Sequence, residues 1–155
     1  MYYDKNKVTR HEKRAVELFL SGYNCAQSVF AAFSDVTGID ERASFKIASA
    51  FGGGMCGNRL TCGALAGMIL TLGTLCGYDE ATDHDGKVAL YRVGKALSDE
   101  FEELLGSKMC AELLAGIKLS ATPRVRDEEY YATRPCARFC AVAAHLLDAY
   151  LEENA

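Results

Sequence analysis

The sequence predicts an all-α fold, a single-domain bundle of about five to seven helices around a buried central helix at about 62–77. Three observations lead there. Stretches of helical apolar spacing are bracketed by residues that cap helix starts and by glycines that end them. Alternating β-branched runs are absent. Only two prolines punctuate the chain. At 155 residues and 50% hydrophobic content, one domain over 1–155 can bury a substantial core.

Each element has its own signal. Thr9 precedes RHEKRAVELFLSG with Glu12 three positions on, the spacing of a capping box, and Gly22 supplies the stop. Asn24 precedes CAQSVFAAFSDVTG, where Val29, Phe30, Phe33 and Val36 fall at helical spacing before Gly38. Asp40 opens ERASFKIASAF, which runs into a glycine-rich loop. Thr61 opens CGALAGMILTLGTLCG, apolar almost all round and so expected at the centre. Residues 84–105 read as a long amphipathic helix with Val88, Tyr91, Leu97, Phe101 and Leu104 facing inward. Ser107 caps KMCAELLAG, the stretch IKLSATPRVRDEEYYAT reads as a long loop, and Pro135 starts CARFCAVAAHLLDAYLEE.

Charge and hydropathy exclude several classes. A net charge of −4 with no basic stripe argues against nucleic-acid binding. The N-terminus MYYDKNKVTRHEKR has no apolar core or cleavage site of a secretion signal, so the expected location is the cytoplasm. Leu60 to Tyr78 carries no charge over nineteen residues, but its Gly, Thr and Cys content and lack of a following basic cluster argue against a membrane span.

The loop AFGGGMCGNRLTCGALAG contains Gly52-Gly53-Gly54-Met55-Cys56-Gly57, which satisfies G-x-G-x-x-G, with Asp79 about twenty residues on. The dinucleotide motif needs a strand to deliver the loop, and the preceding DERASFKIASAF is helical in pattern. No Gly-Lys-Ser/Thr follows, so the phosphate-loop motif fails too. Gly63 and Gly67, four apart at a helix start, instead form a small-residue face suited to close helix packing.

Seven cysteines, an odd number without a secretion signal, fit a disulfide framework poorly and suit metal, cluster or redox-active thiols, or inert core positions. Cys25, Cys62, Cys110 and Cys136 each fall in the first turn of a predicted helix. There the free N–H groups and the dipole favour an anion, which predicts lowered thiol pKa values. Cys56 lies in the loop, Cys76 at a helix end, and Cys140 one turn inside the last helix. Arg134 and Arg138 flank Cys136. His11, His84 and His145 are scattered and read as exposed or internally satisfied.

The ordered motifs GYNCAQSVF, GGGM…CGALAG, GSKMCAELLAG and RPCARFCAVAAHLL resemble a redox-active family defined by a CGAxxG motif and four invariant cysteines, the C_GCAxxG_C_C family. The resemblance runs from about residue 10 to 150 and puts the four family cysteines on Cys25, Cys62, Cys110 and Cys136, with the motif on Cys62, Gly63, Ala64 and Gly67. It implies a redox-active role and a link to transporters. Cys56 departs from the pattern, where a further glycine is expected, and is a candidate fifth ligand or resolving thiol.

Three chemistries suit four such cysteines. They can ligate an iron–sulfur cluster as an electron carrier, hold Zn²⁺ in a closed tetrahedral site, or cycle between dithiol and disulfide with no cofactor. The wide spacing over 25–136 weakens both metal readings, whereas a thiol pair needs only proximity. Cys136 and Cys140, at i and i+4, share a helix face. Gly63, Gly67 and Cys56 are the candidates for contacting a bound cofactor. The expectation is therefore a redox protein with an unidentified redox partner, acting as oxidoreductase or electron carrier. The rival readings are a non-enzymatic zinc module associated with a transporter and a helical interaction domain with inert cysteines.

Overall fold

The computed structural model describes residues 1–120 and 122–155 and contains nine α-helices among them. Six have eight or more residues: α1 (Arg10–Leu20), α2 (Cys25–Ala32), α4 (Glu41–Ala48), α5 (Gly63–Cys76), α6 (His84–Leu105) and α9 (Cys136–Glu153). Three are short: α3 (Ser34–Thr37), α7 (Cys110–Leu113) and α8 (Glu128–Thr133). The last lies inside the stretch expected to be a loop. Asp127 starts it by accepting from the Tyr130 N–H at 2.8 Å. Ala121, in the same stretch, lies outside the described residues. No described helix is long and apolar enough to cross a membrane.

The predicted caps act as caps. Thr9 and Glu12 form a complete capping box at α1, and Asn24 and Gln27 form another at α2. Asp40 accepts from the Ala43 N–H at 2.8 Å to open α4. At α5 the cap moves one residue: Cys62 is the N-cap, while Thr61 pairs with Met109 in an isolated antiparallel β-bridge. The stretch expected to be one helix up to Gly38 breaks at Phe33, and Gly38 ends α3 in the left-handed conformation with φ 75°.

Small side chains set the architecture. Ala26, Ser28, Ala31 and Ala32 of α2 are buried, and α2 packs against α1, α4, α5 and α9. The helix expected at 62–77 is α5. It buries Ala64, Leu65, Met68 and Leu72 on one face and leaves Ile69 and Cys76 exposed, so α2 and α9 share the centre with it. On α6, Leu97 and Phe101 are buried as expected. Val88 and Tyr91 are exposed instead, because the face of α6 turned to the core carries Leu90, Val93, Leu97, Phe101 and Leu104.

Two buried histidines tie α9 to the N-terminal segment. His145 accepts from the Asp4 N–H through Nε2 at 3.0 Å, which puts its proton on Nδ1, where it donates to Glu12 at 2.8 Å. His11 stacks on Phe33 and bridges Asp148 at 2.5 Å and Asp35 at 2.8 Å. Burial pulls the His11 pKa down, but the two carboxylates outweigh it and hold it above the ordinary 6.5. Both are internally satisfied residues, as the sequence suggested, and His84 is exposed.

Candidate thiol site

The four predicted cysteines all sit at helix starts. Cys25 is the first residue of α2, Cys62 the N-cap of α5, Cys110 the first residue of α7 and Cys136 the first of α9. Packing brings these starts together. The Cys25 thiol interacts with those of both Cys136 and Cys140, and Cys62 lies close enough to Cys110 and Cys136 to feel their charges. Cys140 also donates to the Cys25 carbonyl, with sulfur and oxygen 3.8 Å apart. Cys140 therefore belongs to the set. Its spacing of four from Cys136 was the signal.

The glycine motifs explain how. A Cβ on Gly63 would lie 3.2 Å from the Cys25 Cβ, and one on Gly67 would lie 2.9 Å from the Ala26 carbonyl oxygen. Glycine at both positions lets α5 settle onto α2, carrying Cys62 toward Cys25. Gly54 plays the same part for Cys110. Its φ is +68°, and a Cβ there would lie 2.7 Å from the Cys110 Cβ. Backbone bonds lock the register, with Cys62 N–H donating to the Lys108 carbonyl at 2.8 Å and Cys110 N–H to the Leu60 carbonyl at 2.7 Å.

The second half of the loop does not offer its N–H groups to a ligand. Those of residues 55 to 60 all donate to carbonyls of residues 50 to 55. No strand precedes it, so the phosphate-cradle geometry is missing among the described residues. Gly63 and Gly67 are spent on helix packing. Cys56 is exposed, donates to the Ala50 carbonyl at 3.3 Å and stands apart from the buried set.

At Cys25, Cys62 and Cys136 the expectation of lowered thiol pKa values is reversed. Burial pushes Cys62 up to about 12, although the N–H groups of Leu65 and Ala64 point at its sulfur and pull the other way. Cys136 is raised by its hydrogen bond to Cys25 and by burial, against the pull of Arg134 and Arg126. At Cys25 the hydrogen bond from Cys136 favours the thiolate, but Cys140 and burial outweigh it and the pKa stands well above the ordinary value. Helix-start dipoles are small beside desolvation of a charge in a core. Arg126 lies in the stretch read as loop, so no helical pattern marked it. Its guanidinium stacks 4.3 Å from Phe19 and 4.6 Å from Tyr130.

No three His, Cys, Asp or Glu side chains among the described residues are grouped to hold one metal ion. The cysteines meet as pairwise thiol neighbours.

Free thiols gathered at helix starts inside an all-α chain define a cysteine-centred helical protein. The chain belongs to the C_GCAxxG_C_C family, whose model, described as "Putative redox-active protein (C_GCAxxG_C_C)", matches residues 23–150. Neither the curated proteins nor the solved structures yield a match to the chain.

Proposed function

We propose that this protein is a thiol-based redox protein of one domain whose working pair is Cys25 and Cys136. The supporting observation is the proximity of the two thiols, each of which shifts the other's pKa, with Cys25 half-buried and Cys136 buried. Cys25, the more exposed of the two, is the attacking thiol. Its thiolate attacks one sulfur of a partner disulfide, whose S–S bond breaks and releases one thiol. Cys136 then loses its proton and attacks the Cys25 sulfur of the mixed disulfide, releasing the second thiol. Two electrons and two protons pass to the partner, and a Cys25–Cys136 disulfide remains. Cys62, Cys110 and Cys140 keep the pair dry, and Cys140 can take over from Cys136 as resolving thiol.

A second reading rests on the meeting of helix starts, three of them on helices of eight residues or more, beside Arg126 and Arg134. Such a positive environment suits four thiolates around an iron–sulfur cluster, with Cys25, Cys62, Cys110 and Cys136 as its ligands. One experiment separates the two. Anaerobically purified protein is analysed for iron and sulfide, then oxidised with glutathione disulfide and mapped by peptide mass. The proposal expects a Cys25–Cys136 or Cys25–Cys140 linkage and no stoichiometric iron. Iron with matching sulfide would replace it with the cluster, and a linkage through Cys56 or Cys76 alone would overturn it.

A further inference from the structure

Beside the thiol set opens a cavity of about 360 Å³ walled by the glycine loop, by Ser120 and residues 122–126, and by the turn before α9. Arg59, Arg124, Arg126 and Arg134 all line it, and no Asp or Glu does among the described residues. Four guanidinium groups around one cavity repel one another unless an anion joins them.

The protein supplies little of that anion. Arg134 is 8% exposed and its Nε has no hydrogen-bond partner, with the Tyr130 ring 4.9 Å away as its neighbour. The Arg126 Nε is also unpartnered, while Nη2 donates to the Phe19 and Tyr23 carbonyls at 2.8 and 3.0 Å. Arg59 reaches the Cys110 sulfur at 3.7 Å and the Ser120 carbonyl at 3.5 Å, both long contacts. Arg124 alone touches carboxylates, the exposed Glu129 at 3.4 Å and Asp127 at 3.9 Å. Two neutral side chains of the wall are already engaged, the Asn24 amide with Ser49 and Gln27 and the Ser120 hydroxyl with Thr122. The charged donors of the cavity are its arginines, and of these only Arg124 meets a carboxylate.

We infer that the cavity is a binding site for a small organic anion bearing two or more negative charges on carboxylate or phosphate groups. Guanidinium forks match both oxyanions. The volume exceeds that of a bare inorganic ion and suits a small metabolite. Arg134 and Arg59 are the direct ligands, and Arg126 and Arg124 add charge. Arg59 links the site to the thiols, since an anion that draws it inward takes it from Cys110. The binding site stands on the cavity and its arginines and needs no redox chemistry.

Calorimetric titration of the full chain at low ionic strength tests it, using inorganic phosphate, citrate and phosphoglycolate as separate probes. Saturable one-to-one binding of citrate or phosphoglycolate is expected, and their order separates a carboxylate ligand from a phosphate one. Arg134→Gln should weaken that binding about tenfold or more, as loss of a charged hydrogen bond does. Arg59→Gln should do so as well, and it carries the test if circular dichroism shows Arg134→Gln to be misfolded. Arg42→Gln, exposed on α4 and outside the cavity, should leave it unchanged. Absence of saturable binding by every probe overturns the inference. Equal weakening by Arg42→Gln would do the same, reducing the effect to general surface charge.

Discussion

Thiol reactivity gives the sharpest reading of how burial governs this site. The perturbation is titration of native protein with dithiodipyridine at about pH 8, with labelled cysteines identified by peptide mass. Burial takes Cys62 from the ordinary 9.0 to about 12. Three units lower its thiolate fraction about a thousandfold relative to an ordinary thiol. A more basic thiolate is a better nucleophile, and with a Brønsted coefficient near 0.45 this recovers roughly twentyfold. The net expectation is a Cys62 reaction about fiftyfold slower than that of an unhindered thiol, before steric exclusion at 3% exposure slows it further. Two thiols, the exposed Cys56 and Cys76, should react in a fast phase. Half-buried Cys25 and then the buried Cys62, Cys110, Cys136 and Cys140 should follow more slowly, and all seven should react quickly in concentrated urea. Labelling of Cys62 within about tenfold of the Cys56 rate would refute the argument, since neither desolvation nor enclosure would then control it.

Two further outcomes follow from other parts of the fold. Gly54→Ala should destabilise the protein by about 2 kcal/mol or more in urea unfolding, combining a left-handed backbone with a Cβ forced against Cys110. A change under about 0.5 kcal/mol would mean the loop does not fix Cys110 as described. The His11 pKa is raised in the folded state, so its contribution to stability is complete below the ordinary 6.5 and lost as pH rises through the folded value. Urea midpoints should fall over that interval, and His11→Asn should remove that part of the slope.

The sequence made the helices legible because their caps are local. Thr9, Asn24 and Asp40 each act within four residues, and all three cap as expected. Asn24, Thr61, Ser107 and Pro135 placed Cys25, Cys62, Cys110 and Cys136 at helix starts, although the N-caps at α5 and α7 are Cys62 and Met109 rather than Thr61 and Ser107. What the sequence could not give was depth. A helix start favours a thiolate, but Cys62 and Cys136 start helices inside a core, and burial reverses the sign. Val88 and Tyr91 carry the periodicity of an inner face, yet α6 turns the neighbouring Leu90 and Val93 to the core instead. The arginine cavity was illegible for a similar reason. Arg59 lies far along the chain from Arg126 and Arg134, and only the fold gathers them without matching carboxylates.

The central claim, that Cys25 and Cys136 form the redox pair, is tested most directly by equilibrating the full chain in buffers of graded thiol–disulfide potential and quantifying the disulfide by mass. The account predicts one two-electron transition, with roughly 30 mV for each tenfold change in the reduced-to-oxidised ratio. Cys25→Ser should abolish it. Cys136→Ser should abolish it or shift it to a Cys25–Cys140 bond. A transition that survives Cys25→Ser, or none at any potential tried, would contradict the assignment.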